Sequence, residues 1–129
     1  MRSQARETVF KYIFSRLFNS DDEGLFDVLV KDLDVEDKLF AKQLKDEIIL
    51  NEEKYLSEMS QLSIGYKLNR IYSADKCALL VGFSEYCLFK DKTPKIVIID
   101  ETVKLAAKYS SDNSPDFVNG IMASYTECK

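Results

Sequence analysis

The chain has 129 residues, with 18 basic and 22 acidic groups and a formal net charge of −4. That length suits one ordinary domain, residues 1–129, and leaves no room for a separate catalytic partner domain. Neither His nor Trp occurs. The missing His removes the usual general base, the usual triad member and the commonest metal ligand, so no catalytic residue, metal site or cofactor is expected. A pI near 4.9 also argues, at first sight, against nucleic acid as a partner.

Apolar residues recur at three- and four-residue steps, and only four Gly and two Pro interrupt them. Both features predict an all-α fold. Val9, Phe10, Ile13, Phe14, Leu17 and Phe18 give the first helix one apolar face, and Asn19-Ser20-Asp21-Asp22 ends it. A short helix through Leu25, Phe26 and Leu29 follows. Asp34 is the next N-cap, with Glu36 and Asp37 in the first turn where the helix dipole favours acids. From there Phe40, Leu44 and Ile48 repeat every four residues, and Tyr55, Met59, Leu62 and Tyr66 carry the next segment. Ser73 is expected to cap a strongly apolar helix from Ala74 to Phe89, in which Asp75 reads as a first-turn acid.

Thr93-Pro94 marks another start, because Pro suits the first helical position. The β-branched run Lys95-Ile96-Val97-Ile98-Ile99-Asp100 is open to a second reading, a buried strand of a nucleotide-dependent enzyme. The Thr-Pro start, the lack of a connector before Val103 and the absence of a phosphate-binding glycine loop favour a helix, with Ile96, Ile99, Val103 and Ala106 on its inner face. The carboxylates Asp100 and Glu101 then belong to a solvated face. Ser114-Pro115-Asp116 repeats the start signal before Phe117–Tyr125. Six or seven helices are predicted.

Cys77, Cys87 and Cys128 form neither a disulfide framework nor a zinc pattern; Cys77 and Cys87 read as buried thiols. The start of the chain is not a secretory signal, and Cys77–Phe83 is too short to span a bilayer. A soluble cytoplasmic protein is expected, with no membrane and no small-molecule substrate.

The net charge conceals a partition. Residues 1–20 carry Arg2, Arg6, Lys11 and Arg16 against Glu7, a net +3, whereas residues 21–60 carry five basic and thirteen acidic groups, a net −8. Arg2 and Arg6 are four apart and share one side of a helix. Guanidinium groups match phosphate and stack on bases, which makes this an anion-binding edge. A solvated first turn and a membrane-surface helix remain alternatives on the same residues.

The stretch from Pro94 through Val103-Lys104-Leu105-Ala106-Ala107-Lys108-Tyr109-Ser110 strongly resembles a signature of the bacterial NusB antitermination factors. It continues into Phe117-Val118-Asn119-Gly120-Ile121-Met122, similar to that family's Phe-Val-Asn-Gly segment. Ala5-Arg6-Glu7 looks like the end of its arginine-rich motif, and Tyr66-Lys67-Leu68-Asn69-Arg70 resembles a segment that usually begins with Trp.

The resemblance implies about seven helices in two packed sub-bundles and no catalysis. It implies binding of boxA-type leader RNA together with NusE, a small-subunit ribosomal protein, within an RNA polymerase antitermination complex. On that basis Arg2, Gln4, Arg6 and Phe117 are the expected RNA residues, and Asp75 and Glu85 the expected protein-partner residues. By spacing alone Phe117 reads as core, since it aligns with Ile121.

Four positions depart from the family pattern. Ser3 and Gln4 stand where arginines are common, Leu80 replaces a central-helix Arg, and Asp116 replaces a basic residue before Phe117. Each change removes positive charge from the RNA side. The alternative is therefore a protein-interaction module of the same fold that has lost intrinsic RNA binding.

Overall fold

The computed structural model describes residues 2–17, 23–63 and 71–129. Among these residues six helices form and no strand: α1 (Arg2–Arg16), α2 (Glu23–Leu29), α3 (Val35–Leu62), α4 (Ser73–Phe89), α5 (Lys95–Tyr109) and α6 (Ser114–Cys128). Phe18, the Asn19–Asp22 break and the Tyr66–Arg70 segment lie outside the described residues.

The sequence order becomes two helical groups joined through α4. Ten consecutive residues of that helix, Cys77 to Tyr86, are buried, as befits a helix apolar on all sides. It packs against α1 and α3 on one flank and against α5 and α6 on the other. Tyr12 meets Phe26 edge-on and Phe40 packs on Phe89 in the first group. Phe83 stacks on Tyr125 with ring centroids 3.8 Å apart in the second. Where α4, α5 and α6 converge, the spacing is set by Gly82. A Cβ there would lie 2.5 Å from Thr102 Oγ1 and 2.8 Å from Met122 Sδ.

The starts and faces of the helices refine the sequence expectations. Asp34 caps α3 by accepting from the Asp37 amide at 2.8 Å. The two segments expected on either side of residue 51 are one helix with a kink, where Asn51 adopts φ −117° and ψ 20°. Its side chain donates to the Glu47 carbonyl at 3.2 Å and to Glu47 Oε2 at 2.9 Å, a local bond that competes with the helical ladder. Counted as two helices across that kink, α3 brings the total to seven.

Ser73 is the first residue of α4 rather than its cap, and Tyr72 precedes it without a side-chain capping bond. Pro94 likewise stands one place before α5. The Lys95–Asp100 run is helical, but its inner stripe is Ile98, Thr102, Leu105 and Ala106, while Ile96 is 73% exposed. A polar residue interrupts the apolar pattern at Thr102, which is buried because its hydroxyl donates to the Ile98 carbonyl at 2.8 Å. Reading only apolar residues shifts the predicted face around the helix. Cys77 is buried, Cys87 half-buried and Cys128 exposed.

Candidate nucleic-acid and partner interface

The basic amino-terminal helix presents its arginines in two different ways. Arg2 lies on the outside of α1, its guanidinium 4.5 Å from the centroid of Phe40 and 5.6 Å from that of Phe89. Such stacking holds the charge at the surface without neutralising it. Gln4 is exposed beside it, and Ser3 Oγ donates to Glu101 Oε1.

Arg6, one turn on, is 5% exposed. Its Nε donates to Glu85 Oε1 at 2.6 Å and its Nη2 to Glu85 Oε2 at 2.7 Å, a two-bond fork. Nη1 donates to Glu101 Oε1 at 2.9 Å. Burial opposes the charged guanidinium, but the bonds and charges of Glu85 and Glu101 outweigh it and hold the Arg6 pKa above its ordinary value. Glu85 is itself 1% exposed, inside α4. A carboxylate so placed requires a counter-charge, and Arg6 supplies it. Arg6, Glu85 and Glu101 thus tie α1, α4 and α5 together.

Around this core runs a shallow cleft between α1 and α5 of about 190 Å³, lined by Ser3, Glu7, Glu101, Lys104 and Lys108 among others. Glu7 accepts from Lys108 Nζ at 2.9 Å and from the Tyr109 hydroxyl. The Tyr109 bond first, then Lys108, hold the Glu7 carboxyl below the ordinary range. Lys104 pairs with Asp100 at 3.1 Å.

A second cleft of about 310 Å³ forms where the start of α4 meets the start of α6. Ile71, Tyr72, Asp75, Asn113, Ser114 and Phe117 line it. Phe117 is half-buried, and Tyr72 is 61% exposed. Asp75 is 3% exposed, and its Oδ2 accepts from Ser114 Oγ at 3.0 Å. Its Oδ1 is buried with no hydrogen-bond partner. Ser110 Oγ and Ser111 Oγ each lie 2.9 Å from Ser114 Oγ, which fixes that hydroxyl in place.

The two residue sets named from the sequence therefore interleave. Arg6 of the expected RNA set is bonded to Glu85 of the expected partner set, and Phe117 shares a cleft with Asp75. Only Arg2 and Gln4 stand fully outward. Glu101, expected on a solvated face, is instead largely buried against Arg6, while Lys108 and Ser114 carried no site role in the sequence reading. Glu101 adjoins the buried Thr102, so its partial burial follows once that residue is counted as inner.

Among the described residues, no group of three or more Cys, Asp or Glu is arranged to hold a metal ion, and no helix is long and apolar enough to cross a membrane. The described residues thus form a small all-helical protein with exposed cation, amide and aromatic groups at the mouths of two clefts. The NusB family model matches residues 3–127. The transcription antitermination protein NusB of Alkaliphilus oremlandii is 36% identical over 132 residues, covering 98% of this chain and 93% of that protein. The protein of the same name from Streptomyces avermitilis is 33% identical, covering 97% and 93%. The solved structure of T. maritima NusB superposes with a TM-score of 0.90 at 28% identity, covering 98% of this chain and 91% of that one. A complex of the antitermination factors NusB and NusE with double-stranded RNA shares the fold, with a TM-score of 0.86 at 23% identity. The chain belongs to the NusB family.

Proposed function

We propose that this chain is a transcription antitermination factor that binds boxA-type leader RNA together with ribosomal protein NusE, and so promotes read-through by RNA polymerase. The observation that carries the reading is the family match across residues 3–127, with relatives bearing that name over nearly their whole length. The chain acts as one helical unit in the cytoplasm, by binding and without catalysis.

The geometry distributes the work. Arg2 and Gln4 offer an outward cation and amide on α1, and Phe117 offers a ring at the mouth of the second cleft. Arg6 acts as a positioning residue, since its fork to Glu85 fixes the start of α1 against α4. Glu85 acts through Arg6, and Asp75 stands at the cleft that faces the partners.

A titration of fluorescently labelled boxA-type RNA with the chain, with NusE and with both tests the reading. Tighter binding by the pair than by either protein is expected. No gain at low salt with the cognate RNA overturns the RNA role. One observation favours the second reading, a protein-interaction module without intrinsic RNA affinity. Arg6, one of the few cations of the arm, is already committed to Glu85 and Glu101. NusE binding with no RNA binding by either combination identifies that case.

A further inference from the structure

Up to its kink, α3 turns Phe40, Ala41, Leu44 and Ile48 inward, onto α1 and α4. On the opposite face an amphipathic helix carries polar groups. Here Val35, Leu39, Ile49 and Leu50 stand in solvent, and Val35 and Leu50 are more than four-fifths exposed. With about 3.6 residues per turn, these four side chains and those of Lys42 and Asp46 fall on one stripe about 100° wide and about 22 Å long. One exposed aliphatic residue is ordinary. Four on a single stripe, none of them lining either cleft, make a face apolar enough to be covered.

The charges along the stripe define what covers it. Cations Lys38 and Lys42 lie in its first half, and acids Asp46 and Glu53 in and just beyond its second. Asp46 lies 2.9 Å from Lys45 and stays exposed, while among the described residues Lys38, Lys42 and Glu53 form no ion pair. A helix patterned in this way is complementary to itself turned end for end. Antiparallel, in a register centred at the level of Leu44, Leu39 of one copy meets Leu50 of the other and Lys42 meets Asp46. Glu36 and Lys54, which share one flank of the stripe, also face each other. A two-fold axis makes each of these contacts twice. A parallel pair instead sets Lys42 on Lys42 and Asp46 on Asp46, and like charges in contact repel.

We propose that the outward face of α3 is the interface at which two copies of this chain pair antiparallel in solution. Leu39, Ile49 and Leu50 form its apolar centre, and Lys42 and Asp46 set its direction. Contact along about 22 Å of one helix buries less than the roughly 1,200 Å² at which stable interfaces begin, so the pair forms and separates with concentration. Arg2 and both clefts lie outside the stripe and stay open in each copy.

Sedimentation equilibrium of the full chain, from micromolar to millimolar, tests this without RNA or NusE. The apparent mass is expected to rise from one chain towards two. Leu50→Lys and Leu39→Lys each weaken the association at least about tenfold, since each removes two apolar contacts across the axis. Lys42→Glu and Asp46→Lys each pair poorly alone, because like charges then meet. An equimolar mixture of those two variants pairs as well as wild type, with one of each chain in the dimer. All four side chains are exposed, so circular dichroism and a urea midpoint taken on the monomer stay as in wild type. Leu39→Lys carries the apolar arm of the test if Leu50→Lys is unfolded.

A wild-type chain that stays monomeric at millimolar concentration overturns the proposal, as does association that Leu50→Lys and Leu39→Lys leave unchanged. Association lost only in Ile96→Lys assigns self-pairing to the exposed start of α5 and overturns it too. A mixture of Lys42→Glu with Asp46→Lys that fails to pair rejects the antiparallel register and the proposal with it. A monomeric chain whose binding of NusE is weakened by Leu50→Lys gives the face to that partner instead.

Discussion

Arg6 and Glu85, 79 residues apart in the chain, meet in a buried two-bond fork that locks α1 to α4. Removing Arg6 leaves Glu85 buried and unpaired, which costs about 3–5 kcal/mol, and removing Glu85 leaves the buried Arg6 with Glu101 alone, whereas replacing both with apolar residues is close to neutral. Arg6→Ala and Glu85→Ala are therefore each expected to lower the urea midpoint strongly, and Arg6→Met with Glu85→Met to recover most of the loss. Arg6→Lys, which cannot form the fork, falls between. A midpoint unchanged in Arg6→Ala would show that the pair carries no structural load and would return Arg6 to the list of free RNA contacts.

Helix order and the buried apolar stripes of α1 and α3 were legible because both are written in residue spacing. Val9, Phe10, Ile13, Phe40, Leu44 and Ile48 are all buried as their periodicity requires. The roles of Arg6 and Glu85 were not legible. Spacing places Arg6 on the side of α1 it shares with Arg2, but only the tertiary fold brings an α4 carboxylate within reach of one and not the other. Asp75 is the same case: a first-turn acid is unremarkable in sequence, and only the approach of Ser114 and Phe117 turns it into a cleft wall. Thr102 shows the local limit, since its hydroxyl is satisfied within its own helix and so can be buried where an apolar pattern predicts a gap.

Gly82 permits the close approach of α4 to α5 and α6. Gly82→Ala places a methyl carbon 2.5 Å from Thr102 Oγ1, and overpacking of this kind costs about 1–3 kcal/mol despite the better helix propensity of Ala. Thr102→Ala removes the nearest obstructing atom, so the double variant is expected to be more stable than the sum of the two single losses. Additive losses in urea unfolding would mean that the helices move apart instead.

Glu7 links α1 to α5 through Tyr109 and Lys108, and its folded-state pKa is depressed chiefly by the Tyr109 bond. The sign follows from linkage: a depressed carboxylate stabilises the fold above its unfolded pKa, and that contribution is lost as the pH falls through the folded value. Tyr109→Phe is expected to raise the Glu7 pKa in an NMR titration and to flatten the acid limb of the stability profile. An unshifted Glu7 resonance in the variant would exclude the bond as the cause.

The thiols should separate by accessibility. Burial pushes the Cys77 thiol up to about 12, so it is neither ionised nor reachable at pH 8. Cys128 is exposed. One fast equivalent of reaction with a disulfide reagent is expected, lost in Cys128→Ser, with Cys77 reacting only on unfolding. Rapid reaction of Cys77 in the native protein would contradict the packing of α4.

Arg2 breaks a local rule in the first turn of α1, because a cation there opposes the helix dipole. It is held instead over Phe40 and Phe89, with its charge left unneutralised by either ring. A residue that works against its own helix while its charge stays at the surface is a candidate for a contact outside the chain. If Arg2 meets a phosphate of single-stranded RNA, Arg2→Ala reduces the slope of log affinity against log salt by about 0.7. The affinity loss is then largest at low salt and fades at high salt, while discrimination between RNA sequences is unchanged, since phosphate contacts carry no sequence information. Measuring the slope with NusE present separates this from a stability effect: uncovering Phe40 and Phe89 shifts the urea midpoint but leaves the slope alone. A slope equal in wild type and variant would remove Arg2 from the RNA path.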